Sequence, residues 1–162
     1  MSRARFAEIL RLLAEGDVEF VVVGMTAGVL HGAPVTTVDL DIVHQRSPEN
    51  VARLLWVLSA LEAVYRHDPR QLRPQESHLV GPGHQLLTTT HGDLDCLGEI
   101  GEGIGYEELL GQTVEMKLSG GRSVRVLSLP ALIEAKERAG RPKDKAALPV
   151  LRAALDELTR RS

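Results

Sequence analysis

The sequence predicts a single α+β domain spanning residues 1–162, in which a small mixed or antiparallel sheet is flanked by helices. Short runs rich in β-branched residues, of which residues 18–23 are the clearest, alternate with longer segments whose apolar residues recur at helical spacing. A Ser-Gly-Gly-Arg turn at residues 119–122 separates two further strand-like segments, which is typical of a β-hairpin. The length of 162 residues fits one domain, and 43% hydrophobic residues are enough to bury a core.

In the first third of the chain we predict two helices, two strands and a short connecting helix. The first helix covers residues 4–15, with a stripe formed by Phe6, Ile9, Leu10 and Leu13. Residues 18–23 form a strand buried on both faces, residues 24–27 a turn, residues 27–31 a short helix and residues 37–44 an alternating second strand. The next helix begins at Ser47-Pro48, its stripe is Val51, Leu54, Leu55, Leu58 and Leu61, and Trp56 is assigned to the core.

The rest of the chain predicts a polar loop, two strand pairs and two helices. Residues 67–83 are interpreted as a loop with a short strand around Leu79. The later predicted elements are antiparallel strands at 85–90 and 94–97, a helical turn at 106–110, a hairpin at 114–118 and 123–127, a helix at 128–139 ended by Gly140, and a last helix at 144–160.

Composition limits the class of protein. No stretch approaches the roughly 20 apolar residues of a membrane helix, and the lone Cys96 cannot form an internal disulfide, so we expect a cytoplasmic protein without a membrane partner. The net charge of −3 gives no overall basic field for nucleic acid. Residues 136–162, however, carry eight basic and four acidic residues, which fits either a phosphate-facing segment or an ordinary solvated helix.

Three aspartates on two predicted strands are the candidate chemical centre. Asp39 and Asp41 alternate with apolar residues, so their side chains share one face of a strand about 7 Å apart. Acids in that pattern could simply face solvent on a one-sided sheet. Asp95 repeats the pattern on a second strand, followed by two apolar residues, and this favours a shared site. Like charges held together need a cation, and Mg²⁺ prefers carboxylate oxygen.

The order of motifs resembles the polymerase-beta-like nucleotidyltransferase superfamily. A strand is followed by Gly24-Met25-Thr26-Ala27, then His31-Gly32, then Thr-Val-Asp-Leu-Asp-Ile-Val at residues 37–43. Downstream, Ser-Leu-Pro-Ala-Leu-Ile-Glu-Ala-Lys at residues 128–136 and Gly-Arg-Pro-Lys-Asp at residues 140–144 are similar to the C-terminal motif of the subgroup that includes the AbiEii-type toxins. The likeness extends over residues 20–151.

The resemblance implies roles for nine residues. Asp39, Asp41 and Asp95 would be the catalytic carboxylates and the ligands of Mg²⁺, or of Mn²⁺, with Asp95 suited to orient or deprotonate an attacking hydroxyl. The implied nucleotide-binding residues are Gly24, Thr26, Lys136, Arg141, Lys143 and Asp144. Two positions depart from the superfamily pattern: Met25 stands where a second glycine is usual, and Val35 where relatives often have arginine.

The implied activity is metal-dependent transfer of a nucleoside monophosphate from an NTP to an acceptor hydroxyl, with tRNA or other RNA, or a protein, as the acceptor. A second reading is a catalytically weak or inactive protein of the same fold that serves as a nucleotide-binding or toxin–antitoxin partner. A metal-dependent phosphohydrolase would use the same carboxylates but has no histidine-aspartate motif here.

Overall fold

A computed structural model of the chain describes residues 3–161. The helices are α1 (Arg3–Glu15), α2 (Gly24–Leu30), α3 (Pro48–Ala60), α4 (Glu76–Leu79), α5 (Tyr106–Leu109), α6 (Leu129–Ala139) and α7 (Pro142–Arg161), with a 3₁₀ turn at Leu110–Gln112. The strands are β1 (Phe20–Val23), β2 (Asp39–His44), β3 (Val64–Tyr65), β4 (His84–Thr89), β5 (Gly92–Leu97), β6 (Thr113–Lys117) and β7 (Ser123–Leu127). The predicted α+β class is confirmed.

The strands form one seven-stranded mixed sheet in the order β3-β4-β5-β2-β1-β7-β6. The pairs β1–β2, β3–β4, β4–β5 and β6–β7 are antiparallel, whereas β1–β7 and β2–β5 are parallel. The two parallel pairs join segments that are distant in sequence. Strand β2 is the central strand of the sheet and lies between β1 and β5. The acidic residues of β2 therefore have a strand on each side.

The core is almost entirely aliphatic, as the 3% aromatic content requires. All four residues of β1 are buried, which confirms a strand covered on both faces. The largest fully buried side chains are Ile9, Leu13, Leu40, Ile42, Leu54, Leu58, Leu61, Leu79, Leu87, Leu94, Leu127 and Leu129. Helix α6 packs against α2 and α7, which brings the C-terminal motif towards the start of α2.

Helix ends follow the predicted signals. The hydroxyl of Ser47 accepts a hydrogen bond from the backbone of Asn50 at 3.2 Å, and the hydroxyl of Ser128 accepts one from the backbone of Ala131 at 3.3 Å. Each satisfies an otherwise unpaired N–H of the first turn. Gly140 ends α6 with φ 62°, the left-handed conformation that glycine adopts without steric cost.

The structure corrects the prediction around Leu79. This segment is helix α4 instead of a strand, and Leu79 is fully buried. The backbone N–H of Gln75 donates to Nδ1 of His78 at 3.0 Å, so the polar residues here cap a helical turn. The carbonyl oxygen of Leu79 lies 2.8 Å from Nε2 of His44. Strand β3 was not predicted, and the helix after β1 begins at Gly24 where a turn was expected.

Trp56 was also predicted wrongly. It is 78% exposed, although it stands among buried leucines in the sequence. The buried stripe of α3 includes Leu54 and Leu58, and residue 56 is about 200° around the helix from each at 100° per residue. Between residues 3 and 161, no helix is long and apolar enough to cross a membrane.

Candidate functional site

The acidic site is built by two parallel neighbouring strands. Asp39 and Asp41 lie on β2, and the β2–β5 register places Asp39 beside Asp93 and Asp41 beside Asp95. Because side chains alternate along a strand, all four carboxylates belong to the same face of the sheet. The apolar residues between them, Leu40 and Leu94, are fully buried on the opposite face. The strand pairing therefore puts Asp39, Asp41 and Asp95 at neighbouring positions of one face, and their role as metal ligands stays a prediction.

Crowding and burial disfavour the charged forms of two of these acids. Burial first, then a hydrogen bond with Asp95 and the charges of Asp95 and Asp39, together raise the pKa of Asp41 to about 7, while the charge of Lys136 opposes the shift. The pKa of Asp39 is also raised, first by burial and then by the charge of Asp95. A site with these properties has a deficit of positive charge and favours a bound cation.

An arginine that the sequence reasoning missed supplies part of that charge. Nη2 of Arg66 lies 2.5 Å from Oδ1 of Asp95, and Nε lies 3.3 Å from Oδ2 of Asp93. Nη2 also donates to the carbonyl oxygen of Leu87 at 2.7 Å. Arg66 directly follows β3 and precedes an aperiodic polar segment. No periodicity in the sequence distinguishes it from the surface arginines nearby.

Gly24 lies against the acidic site at the start of α2. Its φ is +65°, and a β-carbon at this position would lie 2.4 Å from Oδ2 of Asp41. The backbone of residue 24 can therefore lie this close to the carboxylate of Asp41 only because glycine has no β-carbon. The hydroxyl of Thr26 is buried and donates to the carbonyl oxygen of Asp39 at 2.8 Å. Thr26 thus fixes the start of β2, and its hydroxyl does not point freely at a ligand.

Helices α6 and α7 contribute a second charged cluster. Asp144 is fully buried and accepts bonds from Nε of Arg141 at 2.6 Å and from Nζ of Lys136 at 3.2 Å. The hydrogen bond from Arg141 lowers the pKa of Asp144 to about 2, with Lys136 adding to the effect and burial opposing it. Asp144 is therefore a structural anchor that orients the two cations.

A cleft of about 690 Å³ lies between the acidic site and this cluster. Of the predicted site residues, Gly24, Asp41, Lys136, Arg141 and Asp144 line it. Apolar residues from the loop after β5 and from α6, including Ile100, Ile104, Leu132 and Ala135, form another part of its wall. The cleft thus combines three carboxylates, three cations and an apolar wall, because Glu102 and Arg138 line it as well.

Four predicted residues lie outside the lining of the cleft: Asp39, Asp95, Thr26 and Lys143. Asp39 and Asp95 belong to the adjoining acidic face through the strand register. Lys143 is exposed, and its charge weakly lowers the pKa of Asp39. It is near the acids without forming part of the wall.

The donor chemistry of the acidic face fits a hard divalent ion. Carboxylate oxygens from adjacent strands are the ligands that Mg²⁺ and Mn²⁺ prefer, and the missing β-carbon of Gly24 leaves space at Oδ2 of Asp41. In the described part of the chain, no three His, Cys, Asp or Glu side chains already converge as a metal site. Arg66 forms an ion pair with one oxygen of Asp95.

The fold is shared with solved nucleotidyltransferase structures. The proposed nucleotidyltransferase TM1012 from Thermotoga maritima is 20% identical with a TM-score of 0.59, and the match covers 97% of this chain and 96% of that one. The antibiotic-resistance factor ANT(2'')-Ia is similar in its solution structure, with 17% identity, a TM-score of 0.58, and coverage of 96% and 83%. Its crystal structure in complex with adenylyl-2''-tobramycin gives 19% identity, a TM-score of 0.59, and coverage of 96% and 88%.

No protein-family model and no curated protein matches the sequence, so membership of the AbiEii-like subgroup stays a prediction. At these identities the structural likeness establishes the fold alone. The chain has the nucleotidyltransferase fold.

Proposed function

We propose that this chain transfers a nucleoside monophosphate from an NTP to an acceptor hydroxyl in a Mg²⁺-dependent reaction. The observation that carries the proposal is the pairing of Asp41 with Asp95 on parallel strands, next to a cleft lined by Gly24 and Lys136. Carboxylates beside a cleft that is also lined by cations are the arrangement that phosphoryl chemistry uses.

The residues divide the work of the reaction. Lys136 and Arg141 supply positive charge to the triphosphate, and Gly24 allows its close approach to the backbone. Asp39, Asp41 and Asp95 would hold the divalent ion, which when bound offsets phosphate charge and polarises the phosphoryl group.

Asp95 is suited to accept the proton of the attacking hydroxyl. The acceptor oxygen then bonds to the α-phosphorus as the bond from that phosphorus to the bridging oxygen breaks, and pyrophosphate leaves. The apolar wall around Ile104 and Leu132 would cover the nucleoside and limit hydrolysis by water.

Two observations suggest candidate classes of acceptor. The motif resemblance suggests the hydroxyl of tRNA, other RNA or a protein. The complex of ANT(2'')-Ia with adenylyl-2''-tobramycin adds an aminoglycoside hydroxyl. All three classes therefore belong in one screen.

The test is an incubation with α-labelled NTPs, Mg²⁺ and each acceptor class, with label transfer and pyrophosphate release measured together. Asp41→Asn removes a proposed metal ligand and should abolish both signals. The matched control is Asp156→Asn, an exposed aspartate on α7, which should retain wild-type turnover. Equal labelling by wild type and Asp41→Asn would remove the acidic face from the chemistry.

An inactive nucleotide-binding or toxin–antitoxin role is the second candidate. Two observations favour it: the hydroxyl of Thr26 is engaged with the backbone of Asp39, and Arg66 holds Asp95. Nucleotide binding without pyrophosphate release across the acceptor screen, together with copurification of a partner protein, would support this role over transfer.

A further inference from the structure

Arg66 is held at the acidic face by three contacts. Its guanidinium reaches Asp95 at 2.5 Å, Asp93 at 3.3 Å and the carbonyl oxygen of Leu87 at 2.7 Å. The side chain of Arg66 is 15% exposed and that of Asp95 is 11% exposed. An ion pair shielded to this degree is screened weakly by solvent salt and is stronger than a surface pair.

The surrounding charges show what this arginine compensates. Four carboxylates share the face through the β2–β5 register, and among the described side chains, those of residues 5–161, no other cation forms an ion pair with any of them. Lys136 and Lys143 influence Asp41 and Asp39 only through their charge. Arg66 is therefore the direct counter-ion of the acidic face among these side chains.

A divalent ion would need the same oxygens. A guanidinium bound to Oδ1 of Asp95 blocks that lone pair and places a positive charge beside the position of the ion. A divalent ion at this face and the guanidinium of Arg66 would therefore compete for carboxylate oxygens on adjacent strands.

We propose that Arg66 is a resident cation that competes with the divalent ion for Asp95, so that metal binding requires the guanidinium to leave this carboxylate. The inference rests on the proposed function, because it takes the acidic face to be the metal site. Arg66 is a positioning residue in this scheme: it keeps the carboxylates in register before the metal arrives and lowers the affinity of the empty site for it.

The first test is direct Mn²⁺ binding by calorimetry on the full chain. Arg66→Met keeps an apolar stem of similar length and removes the charge, and it should bind Mn²⁺ roughly tenfold more tightly than wild type. Arg70→Met is the matched control, because Arg70 is exposed in the same polar segment and pairs with Asp68, and its affinity should equal that of wild type. Equal or weaker Mn²⁺ binding by Arg66→Met overturns the inference.

A second readout separates competition from a merely structural role. Without metal, Arg66→Met should melt at a lower temperature than wild type, because the carboxylates lose their counter-ion. Saturating Mn²⁺ should then raise the melting temperature more in Arg66→Met than in wild type. A lower melting temperature without a larger Mn²⁺ effect would mean that Arg66 only supports the fold, and the inference fails.

Arg66→Lys serves if the methionine variant does not fold. Lysine keeps the charge but is a point donor that cannot span Asp95 and Asp93 together. The affinity of Arg66→Lys for Mn²⁺ should therefore rise by a few-fold, and no rise overturns the inference.

If all variants bind Mn²⁺ equally, the inference alone is lost. If none binds at millimolar Mn²⁺ and Asp41→Asn behaves identically, the metal site of the proposed function is lost with it.

Discussion

Gly24 and Asp41 approach each other so closely that a β-carbon on the glycine would lie 2.4 Å from the carboxylate oxygen Oδ2. Gly24 belongs to the first turn of α2 and Asp41 to the middle of β2, and the strands β1 and β2 pair with Val23 opposite Asp41. The absence of a side chain at residue 24 is therefore what leaves Asp41 accessible from the cleft.

We expect Gly24→Ala to damage both stability and ligand binding. The φ of +65° costs an alanine about 1 kcal/mol, and the contact with Asp41 should add about 1–2 kcal/mol more. Urea unfolding measures the sum. Gly103→Ala is a close control, because its φ is +72° and nothing lies within 4 Å of its β-carbon position. If both variants lose the same stability, the contact with Asp41 has no energetic consequence.

We expect Lys136→Met to weaken nucleotide binding. Lys136 lines the cleft and its side chain is held by Asp144, so its ammonium is positioned for a phosphate. Loss of one charge-assisted contact should reduce the affinity for a non-hydrolysable NTP by about tenfold, measured by calorimetry with Mg²⁺. Lys145→Met, which removes an exposed lysine on α7 outside the cleft lining, should bind normally. Similar losses in both variants would indicate a nonspecific charge effect.

The alternation of Asp39 and Asp41 along β2 was predictable from the sequence, but the pairing of β2 with β5 was not. A period of two places Asp39 and Asp41 on one face from sequence alone. The parallel pairing that puts Asp95 beside Asp41 joins segments more than fifty residues apart, and no local signal specifies it. The motif order supplied what the residues could not, because it implied the third carboxylate on a later strand.

Arg66 shows the limit of pattern reasoning more clearly. It reaches Asp95 across 29 residues of chain, and it directly follows a two-residue strand that is too short to leave an alternating pattern. The C-terminal motif was more informative, since Lys136, Arg141 and Asp144 do converge. Their observed roles differ in one respect: Asp144 is buried and orients the cations, which a list of charged residues cannot reveal.

We expect Asp144 to make stability depend on pH at the acid end. Its folded pKa of about 2 lies below the ordinary value of 3.8, so its contribution is complete above about pH 4 and is lost as the pH falls towards 2. The difference in unfolding free energy between wild type and Asp144→Asn should shrink by about 2 kcal/mol over that range. Asp156→Asn, in the exposed part of the same helix, is the matched control, and its unfolding is measured over the same pH range. A pH-independent gap for Asp144→Asn would contradict the ion-pair assignment.

We expect Trp56→Ala to leave stability nearly unchanged, although tryptophan is the largest side chain in the sequence. With 78% of the residue exposed, its truncation should cost no more than about 0.5 kcal/mol. Leu54→Ala provides the contrast on the same helix: Leu54 is fully buried, and its loss should cost about 2–5 kcal/mol. Because Trp56 is the single tryptophan, fluorescence gives an independent check, with red-shifted emission that iodide quenches efficiently. Blue-shifted, iodide-resistant emission would mean that a partner surface or a different helix rotation covers this residue in solution.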